Sequence, residues 1–205
     1  MADFVKAAHD GDLNEVKRLF ALNPSIINEK DREHDTAIMK ACRNCNAADV
    51  VSFLLENGAN INDKKYRDLI DQTPIIIAAF NGCTDIVRML IDAGADIHHR
   101  NDQGENALIS AAQEGNIDVV KVLLDAGADV NQPNADGETA LSLAITLKQK
   151  KELIDLLREK TNDAMGIKKR YKMKQRKTKK KPINLKKKIR KYTNKRKYNK
   201  YSKTT

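Results

Sequence analysis

The cysteines and histidines have the widest chemical repertoire in this chain. It holds three of the former and four of the latter. Cys42-Arg-Asn-Cys45 has the spacing of half a zinc site or of a dithiol redox pair. The second half is missing, because Cys83 stands alone and His98-His99 lie further along the chain. An odd cysteine count without a secretory-type leader predicts free thiols in a reducing compartment, hence an intracellular protein, cytoplasmic or nuclear. Cys42 then reads as a small buried hydrophobe. His9, His34 and the His98-His99 pair offer no nucleophile–base arrangement, and no Gly-rich phosphate loop follows a strand. The carboxylates fall in turns and caps, where they accept backbone amides. No catalytic residue, cofactor or metal site is expected, and the chain reads as a non-enzyme.

A second group of residues with chemical meaning is cationic. The 205 residues carry a formal charge of +10, and that charge is unevenly distributed. Residues 1–162 hold 18 Lys and Arg against 27 Asp and Glu, a net of −9, whereas residues 163–205 hold 20 against one, a net of +19. Two physically different segments are implied, and the second suits polyanions. Its clusters are Lys168-Lys169-Arg170, Lys179-Lys180-Lys181 and Lys186-Lys187-Lys188-Ile189-Arg190-Lys191. They resemble nuclear import signals. With Tyr171, Tyr192, Tyr198 and Tyr201 interleaved, they also suit unpaired nucleic acid. An anionic membrane surface and a merely solubilising tail are the other readings. Few aliphatic residues interrupt the charge, so 163–205 is expected to be disordered in isolation.

The elements that must position these groups repeat. Gly94 and Gly127, Gly104 and Gly137, Ala111 and Ala144, and Gly82 and Gly115 are each 33 residues apart. "LIDAGADIHHRNDQGENALISAA" at Leu90–Ala112 is echoed by "LLDAGADVNQPNADGETALSLAI" at Leu123–Ile145. "LLENGANIN" begins another copy at Leu54, and Thr73-Pro74 opens a further one. A period of 33 with Thr-Pro-Leu-His-x-Ala character is the mark of the ankyrin repeat, and residues 1–162 resemble that family. Five units follow, at about 1–30, 31–68, 69–101, 102–134 and 135–162. The longer second spacing, 37 residues from Thr36 to Thr73, reads as loop insertion between helices that stay in register. No apolar run approaches the length needed to span a bilayer.

Each unit supplies small residues on a first helix and an apolar stripe on a second. In the fourth, Ala111 and Ala112 allow close approach, while Val119, Val120, Leu123 and Leu124 form the stripe. No unit can bury its own stripe, so stability comes from neighbours. The fold class expected is an all-α solenoid of helix–turn–helix units with short β-hairpin fingers, and the molecule is expected to be a monomer.

The resemblance implies a protein partner in the concave groove made by fingers and first helices. The positions that match the family's contacts are Arg32, Glu33, Arg43 and Asn44 in the second unit and Leu69, Ile70, Gln72, Phe80 and Asn81 in the third. In the fourth they are Arg100, Asp102, Gln103, Glu105, Gln113 and Glu114. Pro133, Ala135, Asp136, Glu138, Thr146 and Leu147 complete the row. The third finger departs most from the pattern, presenting Tyr66, Leu69 and Ile70, and such residues are either interface anchors or a local cluster under the loop. The expected function is a protein–protein adaptor whose tail contacts nucleic acid or an import receptor. The alternative is a nucleic-acid-associated protein in which the tail dominates. The opposite charges of the two segments also allow them to associate within one molecule.

Overall fold

The computed structural model describes the backbone of residues 2–67 and 70–179, and side chains over 3–64 and 72–166. Its described helices come in pairs: α1 (Ala2–Asp10) with α2 (Leu13–Leu22), α3 (Ala37–Ala41) with α4 (Ala48–Glu56), α5 (Pro74–Phe80) with α6 (Thr84–Asp92), α7 (Ala107–Glu114) with α8 (Ile117–Asp125), and α9 (Ala140–Thr146) with α10 (Lys151–Lys179). A 3-10 turn, Pro24–Asn28, follows α2. The chain divides after Thr161 into two units.

Within the first unit the helices stack in two rows. The second-helix row is built on Val50, Val51 and Leu54 of α4, Ile86, Val87 and Leu90 of α6, and Val119, Val120 and Leu123 of α8, each at most 1% exposed. Burying each such side chain stabilises by roughly 1.5–3 kcal/mol, and none of it is available to an isolated pair. The first-helix row is packed through small residues. Ala78 and Ala79 in α5 and Ala111 and Ala112 in α7 are fully buried, so neighbouring backbones approach closely. That row is uneven. The seams α1–α3, α5–α7 and α7–α9 are extensive, whereas α3 and α5 meet over a much shorter stretch.

Turn chemistry sets the helix ends. Gly115 caps α7 with φ 76°, a left-handed conformation that admits glycine without a Cβ penalty. Lys148 takes the corresponding place after α9 with φ 54°. The first helices start at Thr36, Thr73, Asn106 and Thr139. Met39 and Ile76 stand where the repeat signature has His, and the buried hydroxyls of Thr36 and Thr73 find no partner among the described residues. Thr139 instead shares a capping box with Ser142, 2.8 Å from the Thr139 amide to Ser142 Oγ.

Three expectations are corrected. The third finger is a two-stranded antiparallel pair, β1 (Lys65–Arg67) with β2 (Ile70–Gln72), in the register Lys65↔Gln72, Tyr66↔Asp71 and Arg67↔Ile70. The boundary placed between residues 68 and 69 therefore cuts through one hairpin. Residues 163–179, expected to be disordered, are helical as the continuation of α10. They are mostly Lys, Arg, Met and Gln, which are good helix formers, and no proline lies between Pro133 and Pro182. Finally, the cysteines are not all free: Cys45 and Cys83 form a disulfide, and Cys42 is a buried thiol. Sequence spacing concealed this pair because stacking, not local spacing, brings the two turns together, with Cα atoms 4.7 Å apart across 38 residues.

Candidate partner-binding surface

The fingers are held by a recurring side-chain device. Asp31 Oδ1 accepts from the amides of Glu33 (2.8 Å) and Asp35 (3.0 Å). Asn101 Oδ1 accepts from Gln103 (3.0 Å) and Glu105 (2.8 Å), and Asn134 Oδ1 from Asp136 (3.0 Å) and Glu138 (2.8 Å). In the second, fourth and fifth units a short acceptor five residues before the start of the first helix thus folds the finger back on itself. The third unit keeps a short acceptor at that position, Asp68, which lies outside the described residues, and its finger is the β1–β2 pair.

These fingers leave a set of side chains facing outward. Arg32, Glu33, Asp102, Gln103, Ala135 and Asp136 are exposed at the tips. At the ends of the first helices Phe80 is 47% exposed and Leu147 51%, with Asn81, Glu114 and Thr146 also exposed. Large apolar side chains held open on rigid helix ends are the geometry of an interface anchor.

Other residues predicted as contacts are engaged inside the molecule. Arg43 forms a two-pronged pair with fully buried Asp35, at 2.9 and 3.1 Å. Arg100 donates to the Gly104 carbonyl (3.0 Å) and, in the next finger, to that of Pro133 (2.7 Å). Glu105 accepts from Gln113 (3.0 Å), and Glu138 from Asn134 (3.3 Å). Tyr66 and Ile70 lie on β1 and β2, and Gln72 ends β2 half-buried. Leu69 lies outside the described residues, as do Lys180, Lys181, Lys186, Lys187, Lys188, Arg190 and Lys191. Lys168, Lys169, Arg170 and Lys179 lie on α10.

Sequence reasoning missed a hollow of about 390 Å³ lined by Val5, Lys6, His9, Asp31, Arg32, Glu33 and Lys40. It lies between α1 and the finger of the second unit. In the hollow Lys40 Nζ lies 3.6 Å from Asp31, 2.5 Å from Glu33 and 3.2 Å from Asp35. Burial disfavours the Lys40 ammonium, but the carboxylates of Glu33 and Asp35 outweigh it and hold the group above the ordinary lysine range. The same three carboxylates converge to within 4.8 Å of one another. The Lys40 ammonium lies among them, and Arg43 also pairs with Asp35.

Neighbouring units are also linked side to side, just beneath the groove. Asn44, expected as a partner contact, donates to the His9 carbonyl (2.8 Å) and so joins the second unit to the first. Asn116 donates to the carbonyls of Ala79 and Phe80, both 2.9 Å, joining the fourth to the third. Gln149 donates to the Gln113 carbonyl, joining the fifth to the fourth. Between the second and third units the link at this place is the Cys45–Cys83 disulfide. Burial pushes the remaining Cys42 thiol well above its ordinary range, Arg43 opposing only in part, and it is chemically quiet.

Paired helices, a reach of one unit per link and a 33-residue period agree with the comparisons. The family model for ankyrin repeats (3 copies) matches residues 4–101 and 75–168. The chain belongs to the ankyrin-repeat family. It is 45% identical over 58 residues to protein fem-1 homolog A of Danio rerio, 28% of this chain and 9% of the relative. It is 33% identical over 97 residues to the putative ankyrin repeat protein YahD of Escherichia coli K12, 47% of this chain and 46% of the relative. Human NAD-capped RNA hydrolase NUDT12 is 32% identical over 93 residues, 45% of this chain and 19% of the relative. The chain thus spans less than half the length of each of these relatives. An ankyrin array is a protein-interaction scaffold, and among the described residues no helix is long and apolar enough to cross a membrane.

Proposed function

We propose that this ankyrin protein is an adaptor that takes a protein partner along its finger and first-helix face, with the basic segment 163–205 adding a contact to nucleic acid or an import receptor. The observation that carries the first half is the pair Phe80 and Leu147, large apolar side chains left open at the ends of two first helices. Arg32, Asp102 and Asp136 on the finger tips supply a polar rim, the arrangement expected of a protein interface.

The test is affinity capture with the full chain and with the Phe80→Ala, Leu147→Ala double variant. Both positions are about half exposed, so the variant is expected to keep its helical circular dichroism and melting midpoint. Loss of the captured proteins supports the reading, and an unchanged captured set with intact fold overturns it. A second reading, in which nucleic acid is the principal ligand, is favoured by the +19 charge of residues 163–205. Removing those residues separates the two, because an adaptor keeps its partner and the alternative loses its ligand.

A further inference from the structure

Three of the four junctions between units carry a side-chain amide donating to a neighbouring unit's backbone, and the remaining one carries a disulfide. That junction is also where the first-helix row is thinnest, since α3 and α5 meet over so short a stretch. The covalent link therefore sits where packing contributes least. Its two sulfurs are in different environments. Cys45 is exposed in a turn that carries one extra residue, whereas Cys83 is 2% exposed at the N-cap of α6. Cys42, three residues away, is fully buried and outside the bond.

We propose that Cys45 and Cys83 are a reversible redox modification site, with Cys45 the residue that exchanges with glutathione and Cys83 the residue that resolves the adduct and closes the α3–α5 seam. In the closing direction the Cys45 thiolate attacks glutathione disulfide, forming a Cys45–glutathione mixed disulfide and releasing one glutathione thiolate. The Cys83 thiolate then attacks the Cys45 sulfur, forming the Cys45–Cys83 bond and expelling the second glutathione. The protein pair loses two electrons, the glutathione disulfide gains them, and the two thiol protons pass to the departing glutathiones. Opening is the reverse, and access dictates its direction. Incoming glutathione reaches the exposed Cys45 sulfur, and the leaving group is Cys83, where the positive end of α6 favours the developing negative charge. With the bond open, α3 and its finger are held to the third unit mainly through the α4–α6 packing, so opening acts on the surface proposed to bind the partner.

The test uses the full chain equilibrated with reduced and oxidised glutathione in varied ratio, read by intact mass, peptide mapping and hydrogen exchange. Wild type is expected to interconvert between a dithiol and a Cys45–Cys83 form, with the mass differing by the two thiol hydrogens. Cys83→Ser is expected to accumulate one glutathione, mapped to Cys45, and Cys45→Ser none. The α3 amides of the reduced chain are expected to exchange on the order of tenfold faster than those of the oxidised chain, while α7 amides do not change. Adducts on Cys42 or Cys83, a bond that native-state glutathione cannot open, or equal α3 exchange in both forms would overturn the proposal. Reduced wild type supplies the open state without any substitution, so a variant that misfolds does not decide the matter.

Discussion

Thr73 and Thr139 begin first helices in the same way, yet their hydroxyls meet different surroundings. Thr139 Oγ1 accepts from the Ser142 amide (3.3 Å) as half of a capping box. The Thr73 hydroxyl is buried, with no partner among the described residues, because Ile76 stands where the repeat signature has a histidine. A lost cap costs about 1 kcal/mol, whereas exchanging an unpartnered buried hydroxyl for a methyl removes an unmet desolvation cost. Thr139→Val is therefore expected to lower the urea midpoint by the equivalent of about 1 kcal/mol. Thr73→Val should leave it unchanged or raise it slightly. Equal losses for the two would show that the Thr73 hydroxyl has a partner after all. The threonines themselves were legible in the sequence. What each hydroxyl meets was not, since that depends on a residue three positions on and on the burial of the helix start. Arg43 is a similar case: its place in the repeat suggests a contact residue, but Asp35, hidden beneath the finger, takes both of its prongs.

The same contrast between position and surroundings governs the turns. Gly104 and Gly127 both have positive φ, 73° and 95°, so any side chain there carries left-handed strain of roughly 1–2 kcal/mol. At Gly127 a Cβ would meet nothing within 4 Å. At Gly104 it would lie 2.6 Å from the Ala135 amide nitrogen and 2.7 Å from Arg100 Nη2, where adjacent fingers are tied together. Gly127→Ala should cost only the strain. Gly104→Ala should cost measurably more and should loosen the fourth finger from the fifth, seen as faster exchange of the Ala135 amide, which donates to the Gln103 carbonyl at 2.9 Å. Equal costs would mean that the fingers move apart freely. The period of 33 made both glycines visible as turns, but only the stack shows which turn is crowded. Cys45 and Cys83 follow the same logic: each occupies an inter-helix turn, and the repeat brings those turns side to side.

At the scale of the whole molecule, the sign change in charge near residue 162 was plain from the sequence, and so was the solenoid, because independent copies of one pattern agreed. The helical course of 163–179 was not, because charge density argues against a core without arguing against a helix. If the basic segment engages nucleic acid, the contact is made mostly to phosphates and must weaken with salt. Each lysine or arginine on a single strand contributes about 0.7 to the slope of log affinity against log salt. Replacing Lys186, Lys187, Lys188, Arg190 and Lys191 by Gln in the full chain should therefore reduce the steepness of that slope for a single-stranded oligonucleotide by up to about 3.5 units. The reduction should be the same for any base composition, since no base-reading module accompanies the cluster. The ankyrin array carries a net of −9 and would repel the same ligand, so the residual affinity should fall further when Lys168, Lys169 and Arg170 are also replaced. A slope that stays unchanged would remove the tail as a phosphate-binding element and leave the finger face as the molecule's principal binding surface.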